Sequence, residues 1–243
     1  PSTELKLVAI TWESISAKRK LIIMQQMEEL ASLDILLSFE AFSIYLFDDS
    51  MEEVRRIALR ILWDSENTKL IPKLLSILSD DPAIGPRGEA ATVLAQFMFL
   101  GEVGKITEDL FNELENTLFS LLEDESQDDF IRQRCLETLG YSSKPEISKI
   151  IETMYFQNDD DDWLSSALLA MGRQGKEEWS ELIIDKLEHS NSIVRIEAIK
   201  AAGELALPGA DIILFDLIQD PEKDIRLATA WSLSEIGGKE SRI

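Results

Sequence analysis

The sequence predicts an all-α fold, an α-solenoid in which antiparallel helix pairs stack side by side and wind as a right-handed superhelix. Three observations predict it. A helical pattern returns about every 31 residues, so that 220–237 restates 189–206. Small residues recur at fixed offsets inside each copy. No alternating run of apolar and polar residues marks a strand. Self-similarity at a fixed period signals a repeat architecture, in which each unit buries its apolar face against its neighbours.

The register runs through most of the chain. The residue after the apolar one that opens each first helix is Arg55, Arg87, Arg132, Leu164, Arg195 and Arg226, at steps of 32, 45, 32, 31 and 31. Three positions on stand Ala58, Ala90, Cys135, Ala167, Ala198 and Thr229, all small. Seven on stand Leu62, Leu94, Leu139, Met171, Ala202 and Leu233, and eight on stand Trp63, Ala95, Gly140, Gly172, Gly203 and Ser234. Spacings of 3, 4 and 7 define one helical face, and small residues on it let two helices approach closely.

Each unit then supplies a second helix, predicted at Lys69–Leu78, Leu110–Leu122, Ile147–Tyr155, Trp179–Leu187 and Ile212–Ile218. Asp80-Asp81-Pro82 and Asp220-Pro221 place a cap and an early proline before first helices. Thr107-Glu108-Asp109 puts acids into a first turn, where the helix dipole favours them. The boundaries are a single domain over 1–243, with repeat units at 48–79, 80–123, 124–157, 158–188 and 189–219 and a truncated last unit at 220–243. Residues 1–47 fit the register poorly, and Ala17–Leu33 with Ile35–Phe47 read as a divergent first unit or cap. The chain has no initiator Met and stops where a second helix would begin. That implies a piece of a longer protein, with further C-terminal repeats or domains as neighbours.

The pattern Asp-Pro-x-x-x-[Val/Ile]-Arg-x-x-Ala followed by Leu-Gly resembles the HEAT repeat, in its short, bilin-lyase-like form. Asp220–Gly237 and His189–Ala206 match best, then Asp49–Trp63 and Asp81–Ala95, and the resemblance covers about 48–243. It implies a protein-binding scaffold. It also implies a hydrogen-bonded ladder between neighbouring units, made by Asp49, Asp81 and Asp220 with Arg55, Arg87, Arg132, Arg195 and Arg226. Leu164 replaces Arg, and Ser126, Asn158 and His189 replace Asp, so the ladder should be interrupted around the fourth and fifth units. Bilin lyases make a lyase- or chaperone-like factor for a cofactor-bearing protein the alternative from another class. A structural spacer within a longer protein is a third reading.

Charge and composition narrow the function. With 46 acidic and 24 basic residues the net charge is −22. Such a surface repels phosphate backbones, which argues against DNA, RNA and anionic membranes as partners. It favours a basic protein segment, with salt weakening the complex. No apolar run is long enough to span a membrane, and no signal peptide opens the chain. One cysteine excludes an intrachain disulfide and fits a reducing, cytoplasmic compartment. Cys135 takes a small-residue position and reads as core. The single His189 excludes a His-based metal cluster and leaves few acid–base arrangements. HEAT-type deoxyhypusine hydroxylases carry repeated His-Glu pairs for iron, and this chain has none. No phosphate-binding glycine loop is present. The sequence therefore predicts no enzyme, no metal and no cofactor.

Candidate binding residues fall in three groups. Asp159, Asp160, Asp161 and Asp162 form an acidic turn before Trp163. Helix capping, docking of a basic segment and a weak cation site are its possible roles, although the run lacks the glycine and terminal glutamate of a calcium loop. Trp163, at the helix start, is the tryptophan expected to be partly exposed, whereas Trp63, Trp179 and Trp231 read as core. About 13 extra residues fall at Phe97–Asp109, and such insertions form loops that often bind. Phe97 and Phe99 beside them are either extra core or a docking site. Second helices usually line the concave face, with outward positions at Lys73, Glu113, Asn116, Lys149, Glu152, Glu181, Asp185 and Asp216.

Overall fold

The computed structural model describes residues 3–34, 36–157 and 160–240, and these form helices and short turns with no strand among them. The fold is the all-α repeat the sequence predicts. The chain divides into two compact units, residues 1–117 with 126–131 and residues 118–125 with 132–243.

The first unit holds α1 (Thr3–Ser14), α2 (Ala17–Leu33), α3 (Glu40–Leu46), α4 (Glu52–Arg60), α5 (Ile71–Asp80), α6 (Ile84–Glu102) and the start of α7 (Glu108–Glu123). Glu52 and Glu53 lie in the first turn of α4, where the dipole favours them. Asn67 caps a short 3-10 turn at Thr68–Leu70 by accepting from the Lys69 N–H, and Pro72 then fits the open first turn of α5. The helix α4 packs on both α2 and α6, and α5 packs on α6. Val54, Ile57, Leu74, Leu78 and Leu94 are fully or almost fully buried between them. Each such side chain contributes about 1.5–3 kcal/mol by leaving water.

The insertion expected to loop out does not. It lengthens helices instead: α6 runs for 19 residues and α7 for 16, with only 103–107 between them. Apolar residues continue at helical spacing through Phe97, Met98 and Leu100, all buried, so burial extends the helix rather than ending it. Phe111 closes the turn by packing against Gly101, where a side chain would overlap the ring.

The second unit holds the rest of α7, α8 (Asp129–Leu139, its first residues assigned to the first unit), α9 (Pro145–Gln157), α10 (Asp161–Gln174), α11 (Ser180–Asp185), α12 (Ser192–Leu205), α13 (Ala210–Leu217) and α14 (Lys223–Glu240). The helix α12 packs against α10 and α14. The recurring glycines explain how. A Cβ on Gly140 would lie 2.8 Å from the Ala170 Cα, and one on Gly203 would lie 2.8 Å from the Ser232 Cα. Backbone meets backbone there, and no side chain fits between. Ends of these helices repeat too: α10 closes on Gly175 at φ 63°, and α12 closes one repeat later on Ala206 at φ 48°.

Candidate functional site

The residues between repeats divide into those that join units and those left to face outward. Arg55 donates from Nε and Nη2 to both carboxylate oxygens of Asp81, at 2.8 and 2.7 Å, and from Nη1 to the Asp49 carbonyl. Both side chains are under a tenth exposed, and the Asp81 hydrogen bond raises the Arg55 pKa. One repeat earlier Lys20 takes the arginine's part. Its Nζ lies 2.9 Å from Asp49 Oδ2, which also accepts from Trp12 Nε1 at 2.7 Å. Burial opposes the Asp49 charge, yet hydrogen bonds from Trp12, the Met51 N–H and Lys20 hold its carboxyl below the ordinary range. The divergent cap therefore carries its own rung, which the register of residues 48–243 does not reveal.

Other positions vary. Arg87 donates to the Leu78 carbonyl and to Gln127, beside the Ser126 substitution. Arg132 donates to the Leu122 carbonyl and lies 5.3 Å from the Trp163 ring centroid. Arg195 donates to the His189 and Ser190 carbonyls and meets Glu222, not Asp220, at 3.0 Å. Arg226 donates to the Asp220 and Pro221 carbonyls. Asn158 and Asp159 lie outside the described residues.

Several acidic residues of the turns are spent on structure. Asp49, Asp81 and Asp220 each accept the N–H two residues on, and His189 Nδ1 accepts the Asn191 N–H in the same way. The single histidine is thus a turn acceptor. Asp160 caps α10 through the Asp162 N–H, and Asp161 accepts from Asn191 Nδ2 at 2.7 Å across one repeat. Asp162, the last residue of the acidic run, lies exposed.

The aromatic residues depart from expectation in both directions. Trp163 is 3% exposed, because its position is the apolar one that opens each first helix, shared with the buried Val54, Ile131, Val194 and Ile225. Phe97 is fully buried, as its place inside the lengthened α6 requires, so neither ring faces outward. Conversely Trp63, expected in the core, is 63% exposed: α4 ends at Arg60, so residue 63 falls in the turn beyond the packed face. Trp231 is also partly exposed, and Trp179 is buried as expected. Phe99 is exposed on α6, and Asn116 is exposed on α7. Lys73 faces out of α5 and pairs with Asp48 at 2.8 Å.

What the structure brings together from the outward set is Lys149 and Glu152 with Glu181. They line a groove of about 550 Å³ between α9 and the α11 segment, with Phe156, Lys176 and Glu178 around them. Trp179 forms part of the wall, its Nε1 donating to Gln174 at 3.0 Å, and Tyr155 ties α9 to α11 through the Leu182 carbonyl at 2.9 Å. The Phe156 ring is largely exposed and packs edge-on against Tyr155. One repeat further Ile212 and Phe215 of α13 are exposed as well. Lys176 and Glu178 come from a 3-10 turn, Glu177–Trp179 with its cap, which precedes the helix that spacing predicts from Trp179. Lys186 and Asp185 pair at 2.8 Å, which raises the lysine pKa and lowers the carboxylate's.

A second cluster lies on the first helices. Glu137 of α8 is buried and bonds Ser166 of α10 at 2.7 Å and Arg134 of its own helix. Burial outweighs these partners and raises its pKa, and burial also raises that of Glu204 on α12. Among the described residues no group of acids, Cys and His has the arrangement of a metal site, and no helix is long and apolar enough to cross a membrane.

Residues 149–234 match the family model of HEAT repeats, so this part of the chain is a HEAT-repeat array. Across nearly the whole chain the fold is similar to that of the Escherichia coli protein YibA, with 18% identity and a TM-score of 0.51 over 90% of this chain and 76% of that one. Human deoxyhypusine hydroxylase in complex with glycerol aligns at 15% identity and a TM-score of 0.44, covering 91% of this chain and 98% of that one. A designed armadillo repeat protein in complex with a (KR)4 peptide aligns at 16% and 0.43, covering 82% and 100%. No curated protein matches the chain in sequence.

Proposed function

We propose that the chain is a non-catalytic, cytoplasmic interaction scaffold that docks a basic protein segment on the second-helix face of its second unit. The observation that carries this reading is the composition of that face. Glu152, Glu178, Glu181, Asp185 and Asp216 are exposed there beside the apolar Phe156, Ile212 and Phe215. Of the lysines nearby, Lys176 and Lys186 already pair with Glu178 and Asp185. Exposed aromatics among mainly acidic side chains supply anchor area and a net negative field, which together favour a cationic, partly apolar partner. The lone histidine is engaged in a turn, which speaks against an acid–base role for it.

The test is binding of an arrayed library of peptides, basic and acidic, to the whole chain and to a Glu152→Lys/Glu181→Lys variant. Retained peptides should be basic with apolar residues, should weaken about tenfold or more between low and high salt, and should be lost by the variant. Equal binding of acidic and basic peptides, or no binding at all, would overturn the reading.

A further inference from the structure

Three successive repeats of the second unit close their first helices on one another by the same contact. A Cβ on Gly140 would lie 2.8 Å from the Ala170 Cα, one on Gly172 3.1 Å from the Ala201 Cα, and one on Gly203 2.8 Å from the Ser232 Cα. In the repeat register the corresponding pair of the first unit is Trp63 with Val93. An indole does not fit between two backbones at that separation. The helix α4 ends at Arg60 instead, Trp63 stands 63% exposed, and a trough of about 290 Å³ has both Trp63 and Val93 in its lining. Its walls come from α2, from the end of α4 and from α6, and α4 packs on both of the others.

The charges on these walls are already matched. Arg60 donates to Glu28 at 2.6 and 3.1 Å and to Glu89 at 3.3 Å. What the trough offers is therefore the indole with the apolar Ala31, Ile61 and Val93. Ala31 and Ile61 also line a second hollow of about 210 Å³, so the two adjoin. The charged residues lining this hollow are Glu40, Asp64 and Glu66, with no cation among them. Glu40 accepts from Ser65 and Asn67, whereas Asp64 and Glu66 are exposed and make no ion pair among the described residues. We infer that the joined trough is a docking site for an extended segment of a protein partner, one that sets an aromatic side chain against Trp63 and Val93 and a neighbouring Arg or Lys beside Asp64 and Glu66. The aromatic ring covers apolar area that water now wets, and the cation meets two carboxylates that give up no partner to receive it. This site stands apart from the second-unit face and does not rest on it.

Short probes test it on the whole chain through tryptophan emission. Trp63 and Trp231 are the exposed tryptophans, so a change that survives Trp231→Phe and is lost in Trp63→Phe reports the trough. The probes are acetyl-Phe-Gly-Arg-amide, acetyl-Phe-Gly-Glu-amide and acetyl-Ala-Gly-Arg-amide. The glycine keeps both side chains on one face of an extended chain. The first probe should move Trp63 emission to shorter wavelength and bind about tenfold tighter than either of the others. Asp64→Asn/Glu66→Gln should cut the preference for Arg over Glu to about twofold. Ser32→Tyr on the α2 wall and Thr92→Tyr on the α6 wall fill the trough from exposed positions. Each should abolish the response in protein whose far-UV circular dichroism is unchanged. Glu152→Lys/Glu181→Lys should retain it, which separates this site from the second-unit face. Equal binding of the first probe and either control would overturn the assigned partner. No response to any probe, an undiminished response in the filled variants, or its loss in Glu152→Lys/Glu181→Lys would overturn the site.

Discussion

The two compact units handle buried charge in opposite ways. In the first, each buried turn carboxylate faces a cation from the preceding repeat: Asp49 faces Lys20 with Trp12, and Asp81 faces Arg55. Asp49 is so well supplied with donors that it holds its charge more firmly than a free carboxylate. In the second, Arg195 and Arg226 turn instead to backbone carbonyls, and the carboxylates that hold their protons lie in the last turns of first helices, as the buried Glu137 of α8 and the partly desolvated Glu204 of α12. There burial wins, and the proton is held more tightly than in water. A repeat motif thus conserves helix packing while leaving free how its charges are compensated.

The largest expected effect breaks the first unit's arrangement. Arg55→Ala removes the cation from a pair that is nearly buried on both sides and leaves Asp81 uncompensated, at about 3–5 kcal/mol. Arg195→Ala, whose partner Glu222 is half exposed, loses mainly hydrogen bonds to carbonyls, at about 1 kcal/mol. Urea melts of the two variants should separate clearly. Similar losses would mean that the rungs are equivalent and the comparison wrong.

Close approach supplies the second contrast. At the same register the first unit has Ala95 and the second has Gly140. Gly140→Ala drives a methyl into the Ala170 backbone at 2.8–2.9 Å, a contact that no rotamer relieves, at about 1–3 kcal/mol. Ala95→Gly only loosens a helix, at about 0.5–1 kcal/mol. A neutral Gly140→Ala in thermal unfolding would show that α8 and α10 can separate freely.

Much of this was legible in the sequence where several units speak together. The small-residue column foretold the glycine contacts, and the buried column opening each first helix held Trp163. Expecting Trp163 to be exposed because an acidic run precedes it set local context above register, and register won. Trp63 failed in the reverse sense: it stands in a helical column, but α4 ends three residues earlier. The Lys20–Asp49 rung left a quieter signal, since Asp49 matches the motif and so calls for a cation one repeat before it. Lys20 stands 29 residues earlier, against 26 between Arg55 and Asp81. The groove was half legible. Spacing found Lys149, Glu181 and the buried Trp179, but Lys176 and Glu178 belong to a 3-10 turn that has no 3.6-residue period.

The smallest expected effect, and the one that sharpens the charge contrast most, is its pH dependence. For Glu137 and Glu204 the folded pKa is raised, so the native state binds more protons than the unfolded chain between the ordinary carboxylate value and the raised one. Stability contributed by these sites therefore falls as pH rises through that window, and returns on acidification from pH 7 toward about 4.3. For Asp49 the folded pKa is lowered, so its contribution is whole above the ordinary value of about 3.9 and is lost only below it. Acidification also relieves the repulsion of a chain carrying −22, and wild-type melts alone would mix the two causes. The Glu137→Gln/Glu204→Gln variant separates them. Its urea midpoint should rise less than the wild type's between pH 7 and pH 5, while Asp49→Asn should leave that slope unchanged and remove stability at both pH values. Parallel slopes in wild type and the double glutamine variant would show that general repulsion, not these two carboxylates, sets the dependence.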